Sequence, residues 1–208
     1  MFAELYARSE DWLKYAIQIN LLHSLKEDQA ELLQFALKDE KIQQALRDVA
    51  AFHETLVTNH KNPMLPIQRL LFLLDLGFDT AIPEIKMAIN EILAHRDENG
   101  VYQSMTNVPK HFGGSGEDVF SWCLCDAPLL LLALFKAGVN YEEHIKPGVD
   151  YLVSLCRDNG FPCAVSPELG KFRGPGREDD CCPYATLIMA DLLSYIPEYK
   201  ESKVARTS

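Results

Sequence analysis

An all-α fold assembled from helical hairpins is what three observations on the sequence predict. Apolar residues recur at helical spacing through most of the chain, and segments apolar on every side alternate with segments apolar on one face. Glycines and turns then recur with those helices at a fixed interval, while strand-like alternation is nearly absent. Of the 208 residues, 48% are hydrophobic and 24% charged, a soluble globular composition with enough chain for one sizeable core. A single domain is expected over residues 1–199, with repeats at 65–195 and a flexible tail at 200–208.

From Glu10 to Leu25, the positions Leu13, Ala16, Ile17, Leu21 and Leu25 predict a helix with Ser9 as its N-cap, and Trp12 and Tyr15 as its core anchors. Gln29 to Leu37 predicts a short helix, and Lys41 to Leu56 a third with Ile42, Leu46, Val49 and Phe52 on one stripe. His53 sits at the boundary of that stripe. The stretch Thr58 to Pro66, with Asn59, His60, Asn62 and Pro63, breaks the pattern and reads as a loop. Ile67 to Leu76 is apolar almost all round, which marks a helix buried on most sides, and Gly77 is placed to end it. Ile82 to Leu93 carries charges between its isoleucines and so has a solvated face.

The same order then returns. Ala127 to Phe135 is apolar all round, Gly138 follows it, and Ile145, Val149, Leu152 and Cys156 form the next one-sided stripe, where Cys156 is core packing. Gly77 and Gly138 stand 61 apart, and the Asn99-Gly100 and Asn159-Gly160 pairs 60 apart. Phe112-Gly-Gly-Ser-Gly116 precedes Phe172-Arg-Gly-Pro-Gly176 by 60, each with an acidic pair close behind. A third apolar helix, Tyr184 to Leu193, opens another copy. Such a unit cannot cover its own apolar face, so neighbours must stack, with the all-apolar helices inside.

The net charge of −10 argues against nucleic-acid binding, which needs clustered Lys and Arg. The longest apolar run is far too short for a membrane span, and the opening Met1 to Trp12 is too polar for a leader, so a cytoplasmic location is expected. The cysteines at 123, 125, 156, 163, 181 and 182 are then expected as thiols or metal ligands rather than disulfides.

The Asn-Gly-aromatic turns at 99–102 and 159–161, and the segment Gly174 to Thr186 entering an apolar helix, make residues 65–195 resemble the α/α-toroid superfamily of terpenoid cyclases and protein prenyltransferases. The resemblance implies a toroid-like barrel, incomplete as a ring or completed by another copy in a homo-oligomer, with a central apolar pocket for isoprenoid substrates. The chain departs from the family in two places. It has no Asp-x-Asp-Asp acid motif, and Asp179-x-Cys181, which is similar to the prenyltransferase zinc pair, is followed by no histidine.

In such a barrel the inner helices run parallel, so the loops that feed them share one rim. Four sulfurs, Cys123 and Cys125 from one loop and Cys181 and Cys182 from the next, would suit tetrahedral Zn²⁺, with a carboxylate able to replace one. Lys171, Arg173 and Arg177 lie among glycines and would hold a phosphate or diphosphate. Asp179 or Asp180 would serve as acid, base or ligand, and His111 as proton acceptor or missing ligand. Phe120, Trp122 and Tyr184 would line the pocket and stabilise a carbocation. The leading expectation is a domain that binds or transforms an isoprenoid-like, anion-headed apolar ligand. Two alternatives stand beside it: a non-catalytic scaffold for a protein or peptide, and a cysteine-ligated metal-binding regulatory domain.

Overall fold

The most apolar stretch of the chain forms its most enclosed helix. The structure, a computed structural model, describes residues 2–25, 29–172, 180–200, 202 and 204. Within it α7 (Ala127–Lys136) buries every residue from Ala127 to Leu134, because α5 (Pro66–Asp75) packs on one side and α9 (Pro183–Tyr195) on another. These three helices are the segments read as interior, and they stand in a row. Each opens with a proline in its first turn, at Pro66, Pro128 and Pro183, where the missing N–H costs nothing. Gly77 and Gly138 close α5 and α7 with φ of 91° and 75°, a backbone region other residues avoid.

The one-sided helices cover this row. These are α4 (Glu40–Ala50), which packs on α5, and α6 (Pro83–Ala94), which packs on α4; α8 (Lys146–Ser154) lies against α7. At the N-terminus are α1 (Phe2–Arg8), α2 (Asp11–Asn20) and α3 (Ala30–Ala36). Tyr15 pins α2 to the end of α5: it is 2% exposed, stacks on Phe78 at 5.2 Å and donates to the Gly77 carbonyl. The short α10 (Pro197–Lys200) follows α9. Among the described residues no helix is long and apolar enough to cross a membrane.

The architecture is mainly helical, as expected, with one small two-stranded sheet besides. Strands β1 (Ser104–Thr106) and β2 (Val119–Ser121) pair antiparallel, with Ser104 opposite Ser121 and Thr106 opposite Val119. Three residues are too few to show alternation in a sequence. Two helices stop short of their expected ends. The helix read to Leu25 ends at Asn20, where His23 takes a positive φ of 53° and leaves Leu21, Leu22 and Leu25 exposed. The helix read to Leu56 ends at Ala50 and continues as a tight 3-10 turn, Phe52–Glu54. The N-cap of α2 is Glu10, not Ser9. Finally, α9 is buried on one face only, with Leu187 63% exposed, since no further inner helix follows it among the described residues.

One turn locks the hairpins together. Asp97 accepts the N–H groups of Asn99 and Val101 through Oδ1, and the Trp122 indole N–H through Oδ2. The tip of that turn, Gly100, lies so close to α8 that a Cβ at Gly148 would stand 2.4 Å from the Gly100 carbonyl oxygen.

Candidate metal centre

The loops that feed α5 and α7 meet at one end of the inner row. The loop before α5 delivers His60, and the turn before α7 delivers Cys123 and Asp126. Asp126 occupies the N-cap position of α7, and its Oδ1 accepts the Cys123 N–H at 2.9 Å, which fixes the two side chains relative to each other. One ligand atom from each of His60, Cys123 and Asp126 lies within 4.8 Å of the others, so the group could hold a metal ion. Cys123 and Asp126 are each 2% exposed. His60 Nδ1 sits 3.2 Å from Asp126 Oδ2, so the two side chains form an enclosed histidine–carboxylate pair. Tyr184 steadies this arrangement by donating to the His60 carbonyl at 3.3 Å.

The electrostatics follow from burial and from the lone carboxylate. Burial works to lower the His60 pKa, but the Asp126 carboxylate outweighs it and the net shift is upward. Burial pushes the Cys123 thiol up, and Asp126 and Cys163 push it further. Without a cation the site therefore keeps a protonated thiol. A divalent ion supplies the positive charge that turns this around, since metal binding displaces protons from its ligands.

More sulfur lies alongside. Cys163 reaches the same place from the segment after the Gly160 turn, because Cys123 pairs antiparallel with Val165 and Leu124 N–H donates to the Ala164 carbonyl at 2.9 Å. The neighbouring Cys163 thiol, burial, and Cys182 and Cys123 nearby together drive the Cys125 thiol pKa strongly upward. Cys182 is the N-cap of α9, its sulfur accepting the Ala185 N–H at 3.5 Å.

His60 also forms part of the wall of an open apolar pocket of about 520 Å³, with Val57, Val108, Pro109, Phe112 and Phe172. Val108 packs in turn on Cys123 and Leu169. Pocket and ligand group thus share one wall.

The residues singled out from the sequence divide accordingly. Of the four cysteines named as ligands, Cys123 belongs to the compact group; Cys125, Cys181 and Cys182 are not in it, and its other members are His60, read as a loop residue, and Asp126. The two glycine loops do meet, Lys171 N–H donating to the Gly113 carbonyl at 3.0 Å. The Lys171 side chain is exposed, while Arg173, Arg177 and Asp179 lie outside the described residues. Asp180 is exposed, and so is His111, whose ring lies 4.1 Å from that of Phe112.

The aromatic residues expected in the pocket are split. Trp122 is 2% exposed and held by Asp97, so it is core. Phe120 stacks on His95 at 3.5 Å in a separate, narrow cleft of about 30 Å³, and only Tyr184 stands at the ligand group. His60 was discoverable: the rule that loops feeding inner helices share a rim applies to the loop before α5 as much as to the other two. Cys163 had no such signal, because it reaches the rim through a local strand pairing. Comparison with known protein families, curated proteins and solved structures finds no match for this chain.

Proposed function

We propose that this chain is a metal-binding helical domain in which His60, Cys123 and Asp126 hold a zinc-type ion beside a pocket for an apolar, isoprenoid-like ligand. The observation that carries the reading is that one ligand atom each of His60, Cys123 and Asp126 lies within 4.8 Å of the others in an enclosed place. A nitrogen, a sulfur and an oxygen donor suit zinc better than calcium or magnesium, which take oxygen alone. Three protein ligands leave one tetrahedral position for water or substrate, as in catalytic rather than structural zinc sites.

The chain's own residues have separable roles. Asp126 orients Cys123 by accepting its backbone N–H, Tyr184 anchors the His60 backbone, and Val57, Val108 and Phe112 line the open pocket on the His60 side. When bound, zinc would act as a Lewis acid or acidify a bound water or thiol. The pocket's size lies in the range of small-molecule sites, and its lining favours a hydrocarbon chain. That is what supports the isoprenoid class, together with the toroid-like arc of hairpins that we infer from the row of inner helices. The peptide-scaffold alternative predicts neither a metal site nor a deep pocket. A metal-binding regulatory domain shares the ion and differs in lacking the small ligand.

Metal analysis of the full chain, purified without a metal-affinity step and equilibrated with zinc, tests the first part. One bound zinc per chain is expected, with affinity reduced at least ~10-fold in His60→Gln and Asp126→Asn and unchanged in Cys181→Ser. No bound metal, or equal affinity in all variants, overturns the site. Calorimetry with a prenyl diphosphate tests the second part: binding weakened by Phe112→Ala supports the pocket, and zinc binding without prenyl binding leaves the regulatory reading.

A further inference from the structure

The polar wall of the open pocket distinguishes between head groups that a ligand could carry. Four described residues bring polar side chains to it, Thr58, His60, Thr106 and Asn107. Two of them have already spent their hydrogens elsewhere. The Thr106 hydroxyl donates to the Ser104 carbonyl at 3.2 Å, and Asn107 Nδ2 donates to Asp118 Oδ1 at 2.7 Å. A carboxylate partner also fixes which way the Asn107 amide faces, since only its nitrogen can donate. Asn107 Oδ1 and the lone pairs of Thr106 Oγ1 are therefore left as acceptors. His60 turns Nδ1 toward Asp126 Oδ2 at 3.2 Å, and the Thr58 hydroxyl can rotate to donate or accept.

Two carboxylates back this wall, Asp118 bonded to Asn107 and Asp126 beside His60. No lysine or arginine is among the described lining residues. An ionised phosphate or carboxylate brings only acceptors and negative charge to a wall that already offers both. A protonated amine donates, but it gives up more hydration than so few acceptors replace. A hydroxyl donates to Asn107 Oδ1 and accepts from Thr58, while Leu56, Val57, Val108 and Phe112 cover the hydrocarbon.

We propose that the pocket takes a neutral apolar alcohol, its hydroxyl donating to Asn107 Oδ1, and discriminates against the same chain carrying an anionic head. This rests on the pocket half of the function proposed above and not on the metal. It departs from the anion-headed ligand expected from the sequence.

Calorimetry on the full chain with geraniol, geranyl methyl ether, geranylamine and geranyl diphosphate tests it, with one hydrocarbon carrying each head in turn. Geraniol is expected to bind at least ~5-fold more tightly than each of the others, the ether keeping the oxygen but having no hydrogen to donate. In Asn107→Ala, geraniol falls to the affinity of the ether, and the ether itself is unchanged. Geraniol and ether binding equally, the diphosphate or the amine binding as tightly as geraniol, or a geraniol preference that survives Asn107→Ala overturns the proposal. Binding of every compound without a head-group preference sinks this inference alone. Binding of none removes the pocket reading and this inference with it. The ligand series on the unaltered chain decides the matter even where the variant does not fold.

Discussion

Asp97 shows how much a single side chain can organise in this protein. It closes the Asn-Gly turn through two backbone N–H groups, and it satisfies the indole of Trp122, which is buried in the core. Asp97→Ala removes three hydrogen bonds and leaves a buried donor without a partner, so unfolding in denaturant is expected to show a loss of about 2–4 kcal/mol. Asp97→Asn, which keeps an acceptor, is expected to lose less. The turn was legible because Asn-Gly dictates it. The bond to Trp122 was not, since it joins residues 25 apart. His60 is the same case at the ligand group: its neighbours in sequence mark a loop, and its chemistry comes from Asp126, a distant residue.

Helices in this chain are fixed by how closely they approach. α8 crosses the Gly100 turn at Gly148, where an added methyl group would meet the Gly100 carbonyl oxygen at 2.4 Å and the Leu131 side chain at 3.2 Å. Gly148→Ala improves local helix propensity by about 1 kcal/mol, yet the clash is with backbone that cannot rotate away. The expected net result is a destabilisation of about 1–3 kcal/mol, read from a lower thermal midpoint with helix content unchanged. Helix existence and type were readable for α4 to α9 because burial on one side or on all sides leaves different periodicities. Helix ends were less so: α2 stops at Asn20 although Leu21, Leu22 and Leu25 continue its apolar spacing. The short strands were unreadable for want of length.

The last described helix ties back onto the molecule through ionisable groups. Lys146 and Tyr141 both bond Glu198, and Tyr199 donates to Asp150, so α10 is fastened to the start of α8. Burial and the Asp150 hydrogen bond push the Tyr199 pKa from 10.0 up to about 12. Burial and Glu198 push Tyr141 upward as well. A tyrosine whose pKa is raised on folding stabilises the fold fully below its unfolded value and loses that contribution as pH rises through the folded one. The thermal midpoint is therefore expected to fall between pH about 10 and about 12, and Tyr199→Phe should flatten that fall.

The internal repeat, the identity of the inner helices and the shared rim of their entry loops could all be read from residue order, because each depends on spacing along one segment and on the need to bury apolar faces. The membership of the ligand group and the removal of Trp122 and Phe120 from the pocket could not. Each depends on distances between segments far apart in the chain, and those are set by how whole helices pack, a quantity no local pattern encodes.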